Sequence, residues 1–301
     1  MGHNDTLAIG ALLRRHGFHF SRSMGQNFLI DPDIPAAIAE SSQAEEKNGV
    51  LEIGPGIGAL SHELCKRAGK VVAVELDRTL LPILSETMAN FSNFEVVNAD
   101  ILKTDIPALV REKLDGLTPI VCANLPYNIT TPALTALIES KCFGSITVLV
   151  QKEVAERLCA KPGTAAYGAF SVFMQYHTEP ALLFEVPKEC FEPMPKVTSA
   201  VVRAVVRGKP PVETADEAFF FKTVYAAFAL RRKTLVNSLM TAFGTHLTKE
   251  RLTQAVTSCG LDANIRGERL GLAEFAALSG AISAALAEKT RRKSFVYRNK
   301  S

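Results

Sequence analysis

The sequence predicts an α/β fold: an open, largely parallel sheet with helices on its faces, followed by a smaller all-helical C-terminal region. Three observations lead to this fold class. An apolar run at residues 50–53 enters a glycine-rich turn and then a helix-period pattern from Ala59, the strand–turn–helix order of a nucleotide-binding βα unit. Further strand-like runs follow, separated by helical segments. Beyond Pro210 and Pro211 the pattern is helical throughout.

The glycine-rich turn is the centre of the predicted ligand site. Its glycines, Gly54, Gly56 and Gly58, let the backbone approach a ligand that a Cβ atom would exclude. Gly54, Gly56 and Ala59 also satisfy the dinucleotide-binding pattern, with its last glycine replaced by alanine. The turn by itself therefore indicates only a ligand related to a nucleoside. Glu52, inside the strand end, is expected to support the turn by hydrogen bonding or to be a solvated carboxylate.

Three further strand-like runs each end in polar residues: Glu75 after 71–74, Asp100 after 94–99, and Asn124 to Tyr127 after 120–123. Ligands of an open parallel sheet bind outside the carboxyl ends of the strands, so these ends are expected to converge on one crevice. Glu75, about twenty residues after the glycines, can accept hydrogen bonds from both ribose hydroxyls. Either carboxylate can instead be a plain helix cap.

The tetrad Asn124-Leu125-Pro126-Tyr127 suits presentation of an adenine amino group to a methyl donor and fits hydride transfer poorly. The exocyclic nitrogen is a weak nucleophile because its lone pair is delocalised into the ring. The Asn124 side-chain oxygen and the Leu125 carbonyl can accept its two hydrogens and draw it toward tetrahedral geometry. Pro126 fixes the turn that aims these acceptors, and Tyr127 offers a ring face to the base.

These motifs resemble those of the ribosomal RNA adenine N6-dimethyltransferase family, and within it the members that act on small-subunit (16S) rRNA. The resemblance runs from about residue 16 to about residue 275. Five ordered motifs carry it: GQNFL at 25–29, EIGPGIG at 52–58, NLPY at 124–127, FEPMPKVTS at 191–199, and AF at 227–228 with RRKTL at 231–235.

The resemblance implies a seven-stranded Rossmann-like sheet of the class I methyltransferase type and S-adenosylmethionine as the cofactor. It implies N6,N6-dimethylation of two adjacent adenosines in the 3′-terminal hairpin loop of 16S rRNA, within the small ribosomal subunit, and a role in subunit maturation. The cofactor-binding residues are then Asn27, Leu29, Gly54, Gly56, Glu75, Asp100 and Asn124. The Asn27 side chain and the Leu29 backbone are expected at the methionine part, and Asp100 at the adenine amino group.

The expected catalytic residues are Asn124, Leu125, Tyr127 and Phe191. Phe191 lies on a loop stiffened by Pro193 and Pro195. Such a ring can simply anchor the loop. The functional hypothesis is that Phe191 and Tyr127 sandwich the target adenine once it is turned out of its RNA context.

Three segments are predicted: residues 1–207 as the methyltransferase domain with an N-terminal arm, 208–288 as a helical rRNA-binding domain, and 289–301 as a basic tail. Arg231, Arg232 and Lys233 are expected to contact rRNA phosphates in a salt-dependent manner, although charge runs are often solvated faces. Arginines of the arm, Arg14, Arg15 and Arg22, are expected to add phosphate contacts.

The remaining elements are predicted from periodicity alone. Strands five to seven are expected at 146–150, 172–184 and 197–206, and the C-terminal helices at 219–229, 233–243, 249–258 and 272–287. Residues 161–168 are predicted to form a mobile loop at the edge of the substrate cleft, because they are small, polar and glycine-rich.

Composition and residue spacing argue against several classes of protein and of site. A net charge of +3 does not by itself indicate a nucleic-acid partner. The argument for such a partner therefore has to rest on how the charges are distributed along the chain. The six cysteines lack Cys-x-x-Cys spacing, which favours buried free thiols in a reducing compartment. The six histidines show no metal-ligand spacing, so no metal is expected. Without a signal segment or a long apolar run, we expect a cytoplasmic monomer without a membrane partner.

Three alternatives to this function remain open from sequence. The first is a relative that methylates a large-subunit (23S) rRNA adenine and confers macrolide resistance; the stretch at 227–235 and the long helical region favour the small-subunit enzyme. The second is a NAD-dependent oxidoreductase, which shares the first βα unit but gives the tetrad and Phe191 no role. The third is a non-enzymatic assembly factor, because one basic surface can serve either task.

Overall fold

The structure is a computed structural model of the 301-residue chain and describes residues 6–18, 20 and 26–298. The chain forms two compact units. The first holds the residues up to Glu156 together with Thr178–Arg207, and the second holds Arg157–His177 together with the residues from Gly208 onward. The change of unit at Arg207 lies where the sequence predicts a domain boundary. Residues Arg157–His177, which the sequence analysis placed in the first domain, belong with the helical residues.

The first unit is built on a seven-stranded sheet of order β4-β3-β2-β5-β6-β9-β7. Strands β2 to β6 are parallel to their neighbours, and β9 runs antiparallel to both β6 and β7. The strands are β1 (Phe28–Leu29), β2 (Asn48–Ile53), β3 (Lys70–Glu75), β4 (Phe94–Asn98), β5 (Thr118–Asn124), β6 (Ser145–Gln151), β7 (Thr178–Val186), β8 (Phe191–Glu192) and β9 (Ser199–Val206). The seven-stranded Rossmann-like sheet is therefore confirmed.

In the part of the chain that the structure describes, the helices accompanying these strands are α1 (Thr6–Arg15), α2 (Asp33–Ser41), α3 (Ala59–Cys65), α4 (Leu81–Thr87), α5 (Ile106–Lys113), α6 (Thr130–Glu139) and α7 (Lys152–Cys159). Several of these helices begin at residues that favour a helix N-terminus. Asp105 caps α5 by accepting from the Ala108 N–H at 3.0 Å, and a proline occupies the first turn of α4 and of α5. The last helix of this set, α7, crosses from the first unit into the second.

The core of the first unit lies along the centre of the sheet. All six residues of β2 are buried, as expected for an apolar run in a parallel sheet covered on both faces. Val50, Ile120 and Leu149 from three adjacent strands pack with Ile38 of α2 and Leu64 of α3. This rigid centre fixes the strand ends from which the site is built.

One strand prediction is wrong in part. Residues 172–177 do not belong to the sixth strand, because Ala169–His177 form helix α8 and β7 begins only at Thr178. Val172, Phe173, Met174 and Tyr176 are all buried. A short, continuously apolar run cannot separate a buried strand from a buried helix by periodicity. The antiparallel pair of β1 and β8 was not predicted either, since two-residue strands carry no periodic signal.

The second unit is helical, as predicted. Its further helices are α9 (Glu217–Phe228), α10 (Leu235–Phe243), α11 (Lys249–Ser258) and α12 (Leu272–Arg298). Phe220, Val224, Leu239, Val256 and Phe275 form its core. Helix α12 continues beyond residue 288, so no helix end marks the predicted start of the basic tail.

The loop at 161–168 belongs to this second unit, not to the first unit where the sequence analysis placed it, and it is anchored at two points. Tyr167 is fully buried, and its hydroxyl donates to the Leu270 carbonyl at 2.9 Å. The Gly163 N–H donates to the Glu268 carbonyl at 2.7 Å. Small polar residues suggested mobility, but a buried aromatic ring and long-range hydrogen bonds hold the segment in place.

The helices of the described residues range in length up to the 27 residues of α12. None of them combines the length and the apolar composition that crossing a bilayer requires.

Candidate active site

A cavity of about 230 Å³ opens at the carboxyl ends of β2, β3, β4 and β5 in the first unit. Four successive strand ends contribute to it, as the sequence predicts. The residues of the predicted site that line it are Asn27, Leu29, Gly54, Gly56, Glu75, Asp100, Asn124, Leu125 and Tyr127. Their shared location is an observation, whereas the role of each remains a prediction.

The turn between β2 and α3 requires its glycines. Gly54, Gly56 and Gly58 have φ angles of +65°, +61° and +89°, a region that side chains with a Cβ rarely adopt. A Cβ added to Gly56 would lie 3.1 Å from the Phe28 ring, and one added to Gly58 would lie 3.0 Å from the Met88 sulfur. The backbone of this turn can therefore approach a ligand closely. A side chain at Gly56 or Gly58 would crowd its neighbours, whereas at Gly54 the positive φ alone disfavours one.

Glu75 lies at the end of β3 and is 6% exposed. Its Oε1 accepts from the Asp77 N–H at 2.8 Å, and its Oε2 lies 3.4 Å from the Gly56 nitrogen, which donates to it. Burial raises the pKa of this carboxyl, although the two backbone hydrogen bonds oppose the shift. A carboxylate has about four lone-pair sites, so Glu75 can brace the glycine turn and still accept hydroxyl groups.

Glu52 lies beneath the same turn and also lines the cavity. It is 1% exposed, and its Oε2 accepts a hydrogen bond from the Ser61 hydroxyl of α3 at 2.6 Å. Burial raises its pKa to about 8. Glu52 therefore ties β2 to α3 as a mostly neutral carboxyl at pH 7, which confirms the supporting role expected from sequence.

Asp100 follows β4 and acts as a cap. Its Oδ1 accepts from the Leu102 N–H at 3.0 Å, and its Oδ2 lies 3.5 Å from the Lys103 ammonium nitrogen. The capping alternative is thus correct for one oxygen. The residue also lines the cavity, so a second role toward an adenine amino group stays a prediction.

The Asn124 amide is oriented by the N-terminal segment. Its Nδ2 donates to the Asn27 carbonyl at 3.2 Å, and a carbonyl can only accept, so the nitrogen must face Asn27. Its Oδ1 then points to the other side of the amide. No described residue donates a hydrogen bond to this oxygen or to the Leu125 carbonyl. These two acceptors, on consecutive residues that both line the cavity, therefore have no donor among the described residues.

The turn after Asn124 is fixed from both directions. The Leu125 N–H donates to the Leu149 carbonyl of β6 at 3.2 Å, and the Leu125 side chain is buried. The Pro126 carbonyl accepts from the Ile129 N–H at 3.1 Å and from the Thr130 hydroxyl at 3.2 Å. This anchoring holds the carbonyl of Leu125 in one orientation.

Tyr127 lines the cavity and is held by its hydroxyl. The phenol oxygen lies 2.8 Å from the Ser199 Oγ, and Ser199 is fully buried at the start of β9. Burial raises the pKa of the tyrosine, so it is a neutral phenol at pH 7. The sequence motif that ends in Ser199 thus contributes to the site through Tyr127.

Phe191 is not among the residues that line the cavity, so the structure gives no support to its predicted stacking role. It lies on β8, opposite Leu29 of β1, and is 1% exposed. Its side chain belongs to the core cluster that includes Ile38 and Val201. The anchoring alternative is the better description, because a ring enclosed by apolar side chains offers no face to a base.

Sequence reasoning missed Gln26 and Asp77. Gln26 lines the cavity, and its Nε2 donates to the Asp77 Oδ2 at 2.8 Å. Although burial raises the pKa of Asp77, hydrogen bonds from Thr79 and Gln26 outweigh it and lower the pKa overall. The signal was the position of Gln26 inside the GQNFL motif, but its partner is distant in sequence and could not be inferred.

The arm packs on the wall of the cavity. Ile9 and Leu13 of α1 belong to one apolar cluster with Phe28, Ile57 and Leu80, three residues that also line the cavity. The helix end is held by Glu86 of α4, which pairs with Arg15 and lies 2.7 Å from the His16 Nε2.

The structure bears on only part of the prediction that arginines of the arm contact phosphates. Arg15 pairs with Glu86 and thus has a protein partner. Arg22 lies outside the described residues.

In the second unit, the predicted RNA-contacting residues Arg231, Arg232 and Lys233 are all exposed. One of them also has a structural role. The Arg231 Nη2 donates to the carbonyls of Ala165 at 2.8 Å and Tyr167 at 3.3 Å.

The described residues hold no group of three or more His, Cys, Asp or Glu that could bind a metal ion.

The cavity fits S-adenosylmethionine by the chemistry of its lining. The cofactor carries no phosphate, and the turn offers close backbone approach with no lysine or arginine among the lining residues. Glu75 and Asp100 bring two carboxylates to the lining, groups that can accept hydrogen bonds from hydroxyl and amino groups.

Comparisons with known proteins agree with this geometry. The family model described as ribosomal RNA adenine dimethylase matches residues 17–279. Curated relatives named "Ribosomal RNA small subunit methyltransferase A" are 45% identical in Geobacillus sp. (strain WCH70) and 47% identical in Bacillus mycoides (strain KBAB4). Each alignment spans 274 residues, 90% of this chain and 94% of the relative.

Two solved structures are similar to this one over most of the chain. The 23S rRNA methyltransferase ErmE is 27% identical with a TM-score of 0.65, covering 85% of this chain and 99% of ErmE. A dimethyladenosine transferase from Plasmodium falciparum is 21% identical with a TM-score of 0.74, covering 86% and 98%. Because the family model and the curated relatives cover nearly the whole chain, this protein belongs to the ribosomal RNA adenine dimethylase family.

Proposed function

We propose that this enzyme uses S-adenosylmethionine to dimethylate N6 of two adjacent adenosines in the 3′-terminal hairpin loop of 16S rRNA. The observation that carries the proposal is the orientation of Asn124. Its amide nitrogen is engaged by the Asn27 carbonyl, so its oxygen and the Leu125 carbonyl form a pair of acceptors at the cavity that also contains Glu75 and the glycine turn. Two acceptors beside one ligand cavity match the two hydrogens of an adenine amino group.

Bound S-adenosylmethionine supplies an electrophilic methyl group on a sulfonium, which is already a good leaving group. The protein's task is therefore chiefly orientation and exclusion of water. Asn124 Oδ1 and the Leu125 carbonyl accept the N6 hydrogens, which counters delocalisation of the nitrogen lone pair and directs it at the methyl carbon. After attack the nitrogen is positively charged and its proton is acidic, so the proton passes to water without a buried base. A second round gives the dimethylated base.

Holding the cofactor falls to the strand ends. We assign the ribose hydroxyls to Glu75, the adenine amino group to Asp100, and close backbone contact to Gly54 and Gly56. By family resemblance, the methionine part lies against Asn27 and Leu29. Tyr127 is assigned to stack on the target base, because its ring lies at the cavity and its hydroxyl is anchored on Ser199.

The helical residues are assigned to rRNA binding. Arg232 and Lys233 are exposed, and several such cations give salt-dependent affinity for phosphates with little reading of sequence. Residues 1–207 then carry the methyltransferase domain, 208–288 the rRNA-binding domain and 289–301 a basic tail, with Arg157–His177 added to the second. We propose that the enzyme acts as a cytoplasmic monomer, because its substrate is the small ribosomal subunit.

The alternatives are less well supported. The curated relatives at 45–47% identity carry small-subunit names, whereas the 23S enzyme ErmE is 27% identical. A NAD-dependent oxidoreductase would leave the two acceptors at Asn124 and Leu125 without a role.

A direct experiment tests the proposal. The enzyme is incubated with radiolabelled S-adenosylmethionine and undermethylated small subunits, with large subunits in a parallel reaction, and the modified nucleotide is mapped by mass spectrometry. We expect label in two adjacent adenosines of the small-subunit rRNA and none in the large subunit. Label in large-subunit rRNA, or at another base, contradicts the proposal.

A maturation role is tested with Glu75→Ala, which removes the ribose acceptor but leaves the exposed basic residues unchanged. We expect this variant to lose methyl transfer and to keep its affinity for immature small subunits, as measured by sedimentation. If both are lost together while the variant remains folded, subunit binding depends on the cofactor and a separate assembly role is not supported.

A further inference from the structure

The segment that precedes β1 is held on both sides of Asn27. On one side, Gln26 Nε2 donates to Asp77 Oδ2 at 2.8 Å, just beyond the end of β3. On the other side, β1 pairs with β8 in antiparallel register. Asn27 therefore lies between two anchors, and the position of its carbonyl is set by both.

The Asp77 anchor is itself rigid. Asp77 is 8% exposed, and its Oδ1 accepts from the Thr79 N–H at 2.9 Å and from the Thr79 hydroxyl at 2.6 Å. Its own N–H donates to Glu75 Oε1 at 2.8 Å. Gln26 is thus attached to the turn that carries the carboxylate assigned to the cofactor, and a change at Gln26 leaves that turn's own hydrogen bonds in place.

Between these anchors, the Asn27 carbonyl accepts from Asn124 Nδ2 at 3.2 Å. An asparagine amide has two orientations of nearly identical shape, and its neighbours decide which is stable. With the carbonyl in place, rotation of the amide would bring two oxygens together. With the carbonyl displaced, both orientations become accessible, and one of them presents N–H groups to the adenine instead of an acceptor.

We propose that Gln26 and Asp77 are positioning residues that hold the Asn27 carbonyl against the Asn124 amide nitrogen, so that Asn124 Oδ1 faces the amino group to be methylated. This inference rests on the proposed function. It assigns a role in the reaction to two residues that touch neither reacting atom. A displacement of about 1 Å in a reacting geometry can cost about a hundredfold in rate.

The first test exchanges the donor and the acceptor. Gln26→Glu places a carboxylate against Asp77, and we expect kcat for methylation of undermethylated small subunits to fall about ten- to a hundredfold. The dissociation constant of S-adenosylhomocysteine, measured by calorimetry, is expected to change less than about threefold, since Glu75 and the glycine turn keep their hydrogen bonds and only the Asn27 contact with the cofactor is disturbed. Adding Asp77→Asn restores a donor opposite the new carboxylate and is expected to recover most of the rate.

Equal losses in kcat and in cofactor affinity, or no recovery in the double variant, overturn the inference, because both indicate a general disturbance of the cavity. If Gln26 were only a structural anchor, Gln26→Leu would lower kcat by the same factor in the Asn124→Ala variant as in the unaltered protein. We expect instead that Gln26→Leu has little further effect there, since residues that act through one another are not additive.

The second test needs no activity. The Asn124 side-chain amide is followed by ¹⁵N–¹H NMR in the full chain bound to S-adenosylhomocysteine, assigned by its absence in Asn124→Ala. In the unaltered protein we expect one sharp, slowly exchanging NH₂ pair; in Gln26→Leu, a shifted or broadened pair. An unchanged pair in Gln26→Leu rejects the positioning role. If this signal responds but small subunits are never methylated, the proposed function fails while the orientation of the amide stands.

Discussion

The turn at Asn124–Tyr127 and the segment from Phe191 to Ser199 both read as motifs for the target base, yet the structure uses them differently. The first lies directly at the end of parallel strand β5 and lines the cavity. The second begins with a buried ring on β8 and reaches the site only through Ser199, which holds the Tyr127 hydroxyl. A motif at a strand end is placed by the topology of the sheet, whereas a motif on an irregular segment is placed by whatever packs around it.

The largest effect that follows from this difference is expected in the stability of the Phe191→Ala variant. Because Phe191 is 1% exposed in an apolar cluster, we expect the free energy of unfolding to fall by about 3–5 kcal/mol, measured by urea denaturation. The matched variant Phe191→Leu keeps an apolar side chain and removes the flat ring. It is expected to be less destabilised and to methylate within about threefold of the unaltered rate. A folded Phe191→Leu protein that has lost most of its activity would restore the stacking role.

Asn124→Ala probes the other motif. We expect kcat for methylation to fall about a hundredfold, equivalent to about 2.7 kcal/mol, because an acceptor for the reacting amine is lost. Stability is expected to change by far less than in Phe191→Ala, since Asn124 makes one side-chain hydrogen bond, at 3.2 Å. Initial rates with saturating cofactor and a urea titration measure the two effects. A variant that loses stability but not rate would place Asn124 in the same structural class as Phe191.

The support beneath the glycine turn gives a smaller, pH-dependent effect. The folded pKa of Glu52, about 8, lies above its ordinary value of 4.5, so the folded state holds the proton more tightly than the unfolded state. Its contribution to stability is complete below about pH 4.5 and is lost as the pH rises toward 8. Within this window the slope is about 1.4 kcal/mol per pH unit.

Glu52→Gln keeps an acceptor for Ser61 and removes the titration. We therefore expect the stability difference between this variant and the unaltered protein to shift in the variant's favour by about 1.4 kcal/mol between pH 6 and pH 7. Taking the difference removes most of the contribution of Glu75, whose pKa is also raised by burial, and leaves the repulsion between the two carboxylates, which is one cause of the raised pKa of Glu52. Parallel stability curves for the two proteins across this range would mean that Glu52 titrates normally.

These cases show which site residues and which elements of the fold could be predicted from the sequence. Glu75, Asp100 and Asn124 were predictable because β2, β3, β4 and β5 pair in parallel, which brings their ends to one edge. The Rossmann-like sheet and the helical second unit followed from periodicity in the same way. Neither conclusion required knowledge of any single side-chain contact.

Two of the features that could not be predicted depend on contacts between residues distant in the chain, and a third on an ambiguous local pattern. Phe191 is buried because β8 pairs with β1, more than a hundred residues earlier, through strands too short to show a pattern. Gln26 and Asp77 meet across 51 positions. Helix α8 was read as a strand because a buried helix and a buried strand are both continuously apolar over a few residues.

The smallest expected effect concerns the hydrogen bond that links the two motifs. Tyr127→Phe keeps the ring at the cavity but leaves the fully buried Ser199 hydroxyl without its partner, and Ser199→Ala leaves the Tyr127 hydroxyl without one. Each is expected to lower stability by about 1 kcal/mol and to reduce the methylation rate less than about tenfold. The double variant removes both polar groups and is expected to be less destabilised than the sum of the single variants, since no buried group then lacks a partner. Strict additivity in a urea-denaturation cycle would show that the two hydroxyls do not interact, and that the second motif contributes to the site through its fold alone.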